Sequence, residues 1–131
     1  ATHRIAWKAK GSEKIILITD CIRPSGLPDG KYPFTDKEMV TVSEHGTNLR
    51  LDSGNLAGSA LTMDRALVNF MANTGATLDE VWRCTSLNAA RQIGISAETG
   101  SIEKGKLADL ILLDDQYQVK MTMIEGEIVY Q

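Results

Sequence analysis

The 131-residue sequence has little cysteine and little histidine, and this scarcity excludes several kinds of site. Cys21 and Cys84 lie far apart and form no CxxC pair or Cys/His cluster, which argues against a zinc ribbon or a disulfide scaffold. His3 and His45 have no neighbour at an HxH or HExxH spacing, so we assign the chain no metal ligand. The motifs GxGxxG, GxxxxGK[ST] and GxSxG are also missing, which gives no support for a phosphate loop or a serine hydrolase.

Long apolar runs and an excess of basic charge are absent as well. No apolar segment approaches the roughly 20 residues of a membrane span, and the start of the sequence carries no signal-peptide pattern. The formal net charge of −3 gives no support for nucleic acid or an anionic membrane as a partner. We therefore expect a cytoplasmic protein that binds neither nucleic acid nor membranes.

A helical pattern and an apolar run open the chain. Residues 2–10 predict a helix that Thr2 caps and Gly11 ends. Residues 15–19 form an unbroken β-branched and apolar run, which is typical of a strand buried on both faces in a parallel sheet. Each parallel crossover needs a dozen or more residues, and the chain has too few helix–strand pairs to complete such a sheet. We therefore expect a fragment, or a chain that pairs with a second copy or another chain.

The middle of the chain predicts a hairpin followed by two helices. Alternating apolar residues over 40–51 indicate a hairpin with a turn at 44–46. The spacing over 63–71 is that of an amphipathic helix ending at Gly75. Residues 77–80 form a capping box for the next helix.

The last third of the chain predicts a short helical turn and then strands. Asn88 is a candidate cap for the turn, which ends at Gly94. The predicted strands lie at 107–113, 119–123 and 128–130, with a turn at Glu125 and Gly126.

Asp20 is the candidate catalytic residue on position alone. It follows the predicted buried strand and precedes a loop over 21–32 that is rich in Gly and Pro. Active sites of barrels and open α/β sheets form at this end of their strands, where a carboxylate can transfer protons. The alternative is an Asp that caps a turn or accepts hydrogen bonds from loop amides.

The segment Leu56, Ala57 and Gly58 is a second candidate, because its small residues let a ligand approach the backbone closely. Amide groups near the start of the following helix could meet an anion or a carbonyl. The alternative is that Ser59 or Thr62 simply caps that helix.

Four segments together resemble the N-acetylglucosamine-6-phosphate deacetylases, a family of the amidohydrolase superfamily. They are ITD at 18–20 with the glycine-containing loop behind it, LAGSALTMD at 56–64, SLNAAR at 86–91 and GSIEKGKLADL at 100–110. The last segment is shared across the superfamily, whereas 56–64 is similar to the deacetylases in particular. Ala89 stands where Pro is usual and Cys21 where a small residue is common, and neither departure should change the chemistry.

The resemblance implies an α/β fold: a C-terminal fragment of a metal-dependent (β/α)8 barrel at 1–98, and part of a small β-sandwich domain at 99–131. It implies a parent enzyme that converts N-acetylglucosamine 6-phosphate into glucosamine 6-phosphate and acetate. A divalent metal, zinc or similar, would activate water in that parent, bound by residues absent from this chain. Asp20 matches the family's proton-transferring Asp, and Leu56, Ala57 and Gly58 match its sugar-contacting backbone.

We expect the isolated chain to be inactive, and to form a homodimer or to associate with the missing part of the enzyme. Two alternatives remain open. One is another amidohydrolase, either a cyclic-amide hydrolase or a deaminase. The other is a non-enzymatic module that associates through the exposed face of residues 15–18.

Overall fold

The computed structural model describes all residues, Ala1–Gln131, and has an α/β composition with two antiparallel sheets. The helices are α1 (Thr2–Lys10), α2 (Met63–Thr74), α3 (Leu78–Thr85) and α4 (Leu87–Gln92), with a 3-10 turn at Ser12–Lys14. The strands are β1 (Gly30–Pro33), β2 (Met39–Ser43), β3 (Asn48–Leu51), β4 (Leu110–Leu113), β5 (Val119–Ile124) and β6 (Glu127–Tyr130). No helix combines the length and the apolar character needed to cross a bilayer.

The chain divides into two compact units. The smaller unit is Ile18–Met63, and the larger unit combines Ala1–Leu17 with Asp64–Gln131. Both units are defined from the residues of this chain alone. The division predicted between residues 98 and 99 concerns the parent enzyme and stays a prediction.

The smaller unit is built on the sheet β1-β2-β3. The predicted hairpin is confirmed, with Val40 facing Leu51 in the register of β2 and β3. Val40, Val42 and Leu49 are buried and form the core with Ala57. Strand β1 is not among the predicted strands, because residues 30–32 fall within the predicted loop. Pro33 is tolerated as its last residue because β1 is an edge strand, where a missing N–H costs little.

The core of the larger unit lies between α2 and α3. Leu67 and Phe70 of α2 pack with Val81 of α3, and the predicted amphipathic helix is thereby confirmed. Trp7 of α1 meets Phe70 edge-on at 5.7 Å between ring centroids. The predicted capping box is also present, since the N–H of Thr77 donates to the Glu80 carboxylate at 2.8 Å.

Two predicted helix caps are wrong. The N-cap of α1 is Ala1, and Thr2 already belongs to the helix. Asn88 lies inside α4 and is buried, and its side-chain amide donates to the carbonyl oxygens of Ser12 at 2.6 Å and Ile15 at 2.7 Å. These contacts are long-range, so local sequence rules assign Asn88 to a cap that it does not form.

Residues 15–19 have no ladder partner in this chain, so the strand predicted there, whose neighbours are expected outside the chain, stays a prediction. The N–H of Leu17 donates instead to the carbonyl of Cys84 at 2.8 Å. Ile15 and Leu17 pack against the core of the larger unit. By contrast, Ile16 is 39% exposed and Ile18 is 71% exposed. An apolar run is fully buried only when both of its faces are covered. In this chain only the face that carries Ile15 and Leu17 is covered.

The three predicted strands of the tail are confirmed as the sheet β4-β5-β6, although β4 begins three residues later than predicted. Glu125 and Gly126 both have positive φ, at 50° and 89°. A two-residue hairpin turn with positive φ at both positions matches the twist of the flanking strands. The turn predicted at these residues is therefore confirmed.

Candidate active site around Asp20

Asp20 lies in the smaller unit and adopts a left-handed backbone conformation with φ of 52°. Such a conformation is uncommon outside glycine, although Asp tolerates it better than most residues. The residue is exposed to solvent. Backbone outliers of this kind cluster at functional sites, which supports Asp20 as a candidate for chemistry beyond its position in the sequence.

The structure brings Asp20 together with residues 56–59, which we call the LAGS segment. The main-chain N–H of Ser59 donates to the carbonyl oxygen of Asp20 at 2.8 Å, and Cys21 forms a parallel bridge with Ser59. The Ser59 hydroxyl donates to the carbonyl oxygen of Thr19, 40 residues earlier in the chain. Two motifs that are separate in the sequence therefore lie side by side in the smaller unit.

Gly58 lies against Ile22 and the carbonyl group of Asp20, with no room for a side chain between them. Its φ is +105°, and a Cβ built there would lie 2.6 Å from Ile22 Cγ2 and 2.9 Å from the carbonyl oxygen of Asp20. Real Cβ atoms essentially never approach other atoms this closely. Only glycine therefore combines this backbone conformation with this approach to Asp20.

The other two predicted binding residues differ in accessibility. Leu56 is 67% exposed and is free to meet a ligand with its side chain. Ala57 is buried, and its N–H already donates to the carbonyl of Leu49 at 3.0 Å. The Ala57 amide is therefore an anchor to β3 and is not available for a sugar or an anion.

Ser59 does not cap α2, which is the alternative prediction for this residue. Its hydroxyl donates to Thr19 and accepts from the N–H of Leu61 at 3.0 Å. Both partners lie before α2, which begins at Met63. The local hydrogen bonds of Ser59 thus hold the loop around Asp20.

Ser25 belongs to the same network and was missed by the sequence analysis. Its hydroxyl accepts from the N–H of Ile22 at 3.2 Å and donates to the carbonyl of Ser59 at 2.8 Å. A serine between Pro24 and Gly26 is typical of any turn, so no sequence signal distinguished it.

A cavity of about 360 Å³ lies beside the loop that follows Asp20. Its lining includes Ile22, Arg23 and Pro24 from that loop and residues 33–36 after β1. Arg23 and Asp36 give it one charge of each sign. Neither residue is among the predicted site residues.

A sequence profile of the Amidohydrolase family matches residues 3–129. The chain belongs to the amidohydrolase family.

Within that family, the chain is similar to the following two relatives and one solved structure. The chain is 39% identical to the N-acetylglucosamine-6-phosphate deacetylase of Bacillus subtilis strain 168, over 97% of this chain and 31% of that protein. It is 39% identical to the N-acetylgalactosamine-6-phosphate deacetylase of Escherichia coli O157:H7, over 88% of this chain and 30% of that protein. The crystal structure of the N-acetylglucosamine-6-phosphate deacetylase of Thermotoga maritima matches with a TM-score of 0.87 and 36% identity, over 98% of this chain and 34% of that one. The chain thus spans about a third of the length of these relatives.

The amidohydrolase family is generally metal-dependent. No group of three or more His, Cys, Asp or Glu side chains in this chain is placed to bind an ion. His3 lies in α1 against Phe70, and His45 lies in the turn between β2 and β3. The residues of this chain do not fit a metal site by themselves.

The ionisable groups with shifted pKa values in this amidohydrolase chain lie outside the Asp20 site. Burial raises the pKa of the Cys84 thiol, which keeps it protonated and unreactive. Hydrogen bonds lower the pKa values of three carboxyl groups, those of Glu103, Asp109 and Asp114. All four groups belong to the larger unit, where they bear on stability.

Proposed function

We propose that this chain is the C-terminal part of an N-acetylglucosamine-6-phosphate deacetylase. The observation that carries the proposal is the junction of Asp20 with Gly58 and Ser59, which joins the two motifs expected to hold the substrate and move its protons. The 39% identity to the Bacillus subtilis enzyme and the TM-score of 0.87 to the Thermotoga maritima enzyme support it.

In this proposal Asp20 is the catalytic acid and base. Its carboxylate takes one proton from the water that attacks the acetamide carbonyl carbon. The same proton passes to the amide nitrogen as the C–N bond breaks. The second proton of the water leaves the acetic acid for solvent or for the new amine, so acetate and glucosamine 6-phosphate are the products, and Asp20 returns to its starting state. Proton transfer by a positioned group of this kind typically contributes about 10²- to 10⁴-fold to the rate.

Leu56 and the backbone at Gly58 would contact the sugar. The exposed side chain of Leu56 offers an apolar surface, and Gly58 leaves the backbone open to close approach. Ala57 would act indirectly, because its buried methyl group and its bond to Leu49 hold the segment on the sheet.

The rest of the site would come from residues outside this chain. We propose that residues 1–98 complete a (β/α)8 barrel and that residues 99–131 complete a small β-sandwich domain. The exposed face of Ile16 and Ile18 supports association with the rest of the enzyme or with a second copy. A divalent metal such as zinc would be held by ligands outside this chain. A cytoplasmic location, without nucleic acid or membrane as partner, is part of the same proposal.

A second candidate substrate is N-acetylgalactosamine 6-phosphate. The Escherichia coli relative named for that sugar is as similar to this chain as the Bacillus subtilis relative, at 39% identity. The two sugars differ only in the orientation of the C4 hydroxyl. A single Asp20 could therefore serve either one, and contacts to that hydroxyl would decide between them.

The test is release of acetate from both sugar phosphates by the full-length protein that contains this chain. We expect turnover of at least one, with the glucosamine derivative preferred, and none by the isolated 131-residue chain. A cyclic amide and an aminopurine serve as comparison substrates for the other amidohydrolase chemistries. Turnover of either comparison substrate without acetate release, or turnover by the isolated chain, would contradict the proposal.

A further inference from the structure

We propose that Ser59 and Ser25 are positioning residues that hold Asp20 in its left-handed conformation. The proposal rests on the proposed function, because that function makes Asp20 the proton carrier. Neither serine needs to touch the substrate. They would act on Asp20 by holding in place the peptide groups before and after it.

The conformation of Asp20 needs outside support. With φ of 52°, Asp20 occupies a region that a residue with a Cβ rarely adopts. Such a conformation persists only where the surrounding structure imposes it. The support should therefore be visible as hydrogen bonds to the two peptide groups that flank Asp20.

Ser59 binds both of those peptide groups. The carbonyl of Thr19 belongs to the peptide before Asp20 and accepts from the Ser59 hydroxyl. The carbonyl of Asp20 belongs to the peptide after it and accepts from the Ser59 N–H at 2.8 Å. Since φ and ψ of Asp20 are the rotations between these two peptide planes, a single residue constrains both angles.

Ser25 holds Ser59 from the other side. Its hydroxyl donates to the carbonyl of Ser59 at 2.8 Å and accepts from the N–H of Ile22 at 3.2 Å. Together with the backbone from Asp20 to Ile22, these hydrogen bonds close a ring that passes through Ser25 and Ser59 and returns to Asp20. Both serines are half-buried, which limits competition from water.

The ring has little room to relax, because Gly58 already lies in close contact with Ile22 and with the carbonyl of Asp20. The preceding Ala57 is fixed to Leu49 of β3. A lost hydroxyl would free the peptide groups around Asp20 without removing the scaffold. We therefore expect an effect on the rate that exceeds the effect on stability.

The experiment uses Ser59→Ala and Ser25→Ala in the full-length protein, with acetate release as the assay. Ser43→Ala is the matched control, because Ser43 is also half-buried in the smaller unit and donates to a main-chain carbonyl, that of Asn48 at 3.5 Å. We expect kcat to fall about 10- to 100-fold in both ring variants, with KM within about threefold of wild type. Ser59→Thr keeps the hydroxyl and should restore most of kcat.

Three outcomes would overturn the proposal: kcat within about twofold of wild type in both ring variants, an equal fall in Ser43→Ala, or a Ser59→Thr variant as slow as Ser59→Ala. If Ser59→Ala does not fold, Ser25→Ala decides, since it leaves Ser59 in place.

Hydrogen exchange separates this proposal from the proposed function. The amide of residue 59 donates to Asp20, so Ser25→Ala should raise its exchange rate at least tenfold while Ser43→Ala does not. If the wild-type protein releases no acetate, the proposed function fails, and exchange alone then decides: faster exchange supports the ring and unchanged exchange overturns it.

Discussion

The main-chain N–H of Ser59 donates a hydrogen bond to the carbonyl oxygen of Asp20, at 2.8 Å. This bond joins the extended segment that ends at Asp20 to the loop that leads into α2. It also brings Gly58 so close to Asp20 that no side chain fits at that position. The candidate site is therefore defined by the backbone as much as by its one carboxylate.

Replacing the Asp20 carboxylate should abolish most activity and leave the fold intact. Asp20→Asn keeps a side chain that tolerates the left-handed conformation but cannot carry the proton. We expect kcat to fall by about 10²- to 10⁴-fold, measured as acetate release by the full-length protein. Asp52→Asn is the control, since Asp52 is an exposed partner of Lys31 on the same unit. Equal activity of the two variants would remove Asp20 from the mechanism.

Adding one methyl group at Gly58 should damage both stability and activity. Gly58→Ala strains a φ of +105° and forces the new Cβ against Ile22 and Asp20. We expect a loss of about 1–3 kcal/mol in the free energy of unfolding, with kcat/KM lower as well. Gly54→Ala is a sharp control, because Gly54 also has positive φ, +85°, but has no atom within 4 Å of an added Cβ. If both variants lose the same amount, the close approach at Gly58 has no special cost.

Removing the Asn88 amide should destabilise the larger unit. Asn88→Ala leaves the carbonyls of Ser12 and Ile15 without the donor that they share, in a site that is almost fully buried. The expected loss is about 1–3 kcal/mol, measured by urea unfolding. Asn73→Ala removes an exposed side-chain bond to Asn69 within α2 and should change stability by less than about 0.5 kcal/mol. A neutral Asn88→Ala would show that the two carbonyls find other donors.

Acid should weaken the β4-β5-β6 sheet partly through Asp109. The pKa of the Asp109 carboxyl is lowered because it accepts hydrogen bonds from the N–H of Glu125 and the hydroxyl of Thr99. A carboxyl group with a lower pKa in the folded state stabilises the protein above its unfolded pKa and loses that effect as pH falls through the folded value. The contribution should thus be complete at pH 7, should begin to fall near pH 4, and should be lost as the pH falls through the folded pKa, which lies below the ordinary value of the group.

The measurement compares Tm at pH 7 and pH 3. In Asp109→Asn the difference between the two values should be smaller than in wild type, because the variant has no charge to lose at this position. Asp115→Asn serves as a control, since Asp115 is an exposed carboxylate in the same sheet region. The same acid shift in wild type and Asp109→Asn would exclude Asp109 as a source of the pH dependence.

The sequence by itself determined the elements whose cause is local. The capping box at Thr77, the amphipathic spacing of α2 and the turn at Glu125 and Gly126 depend on residues at most a few positions apart. The tertiary structure alone decided that Asn88 binds the carbonyls of Ser12 and Ile15, that β1 pairs with β2, and that Ser59 and Ser25 hold the backbone at Asp20. These contacts join residues as much as 76 positions apart, and short-range periodicity carries no information about such partners. Hydrogen bonds between groups that are distant in the sequence form only in the folded chain, because they depend on which segments the fold brings together.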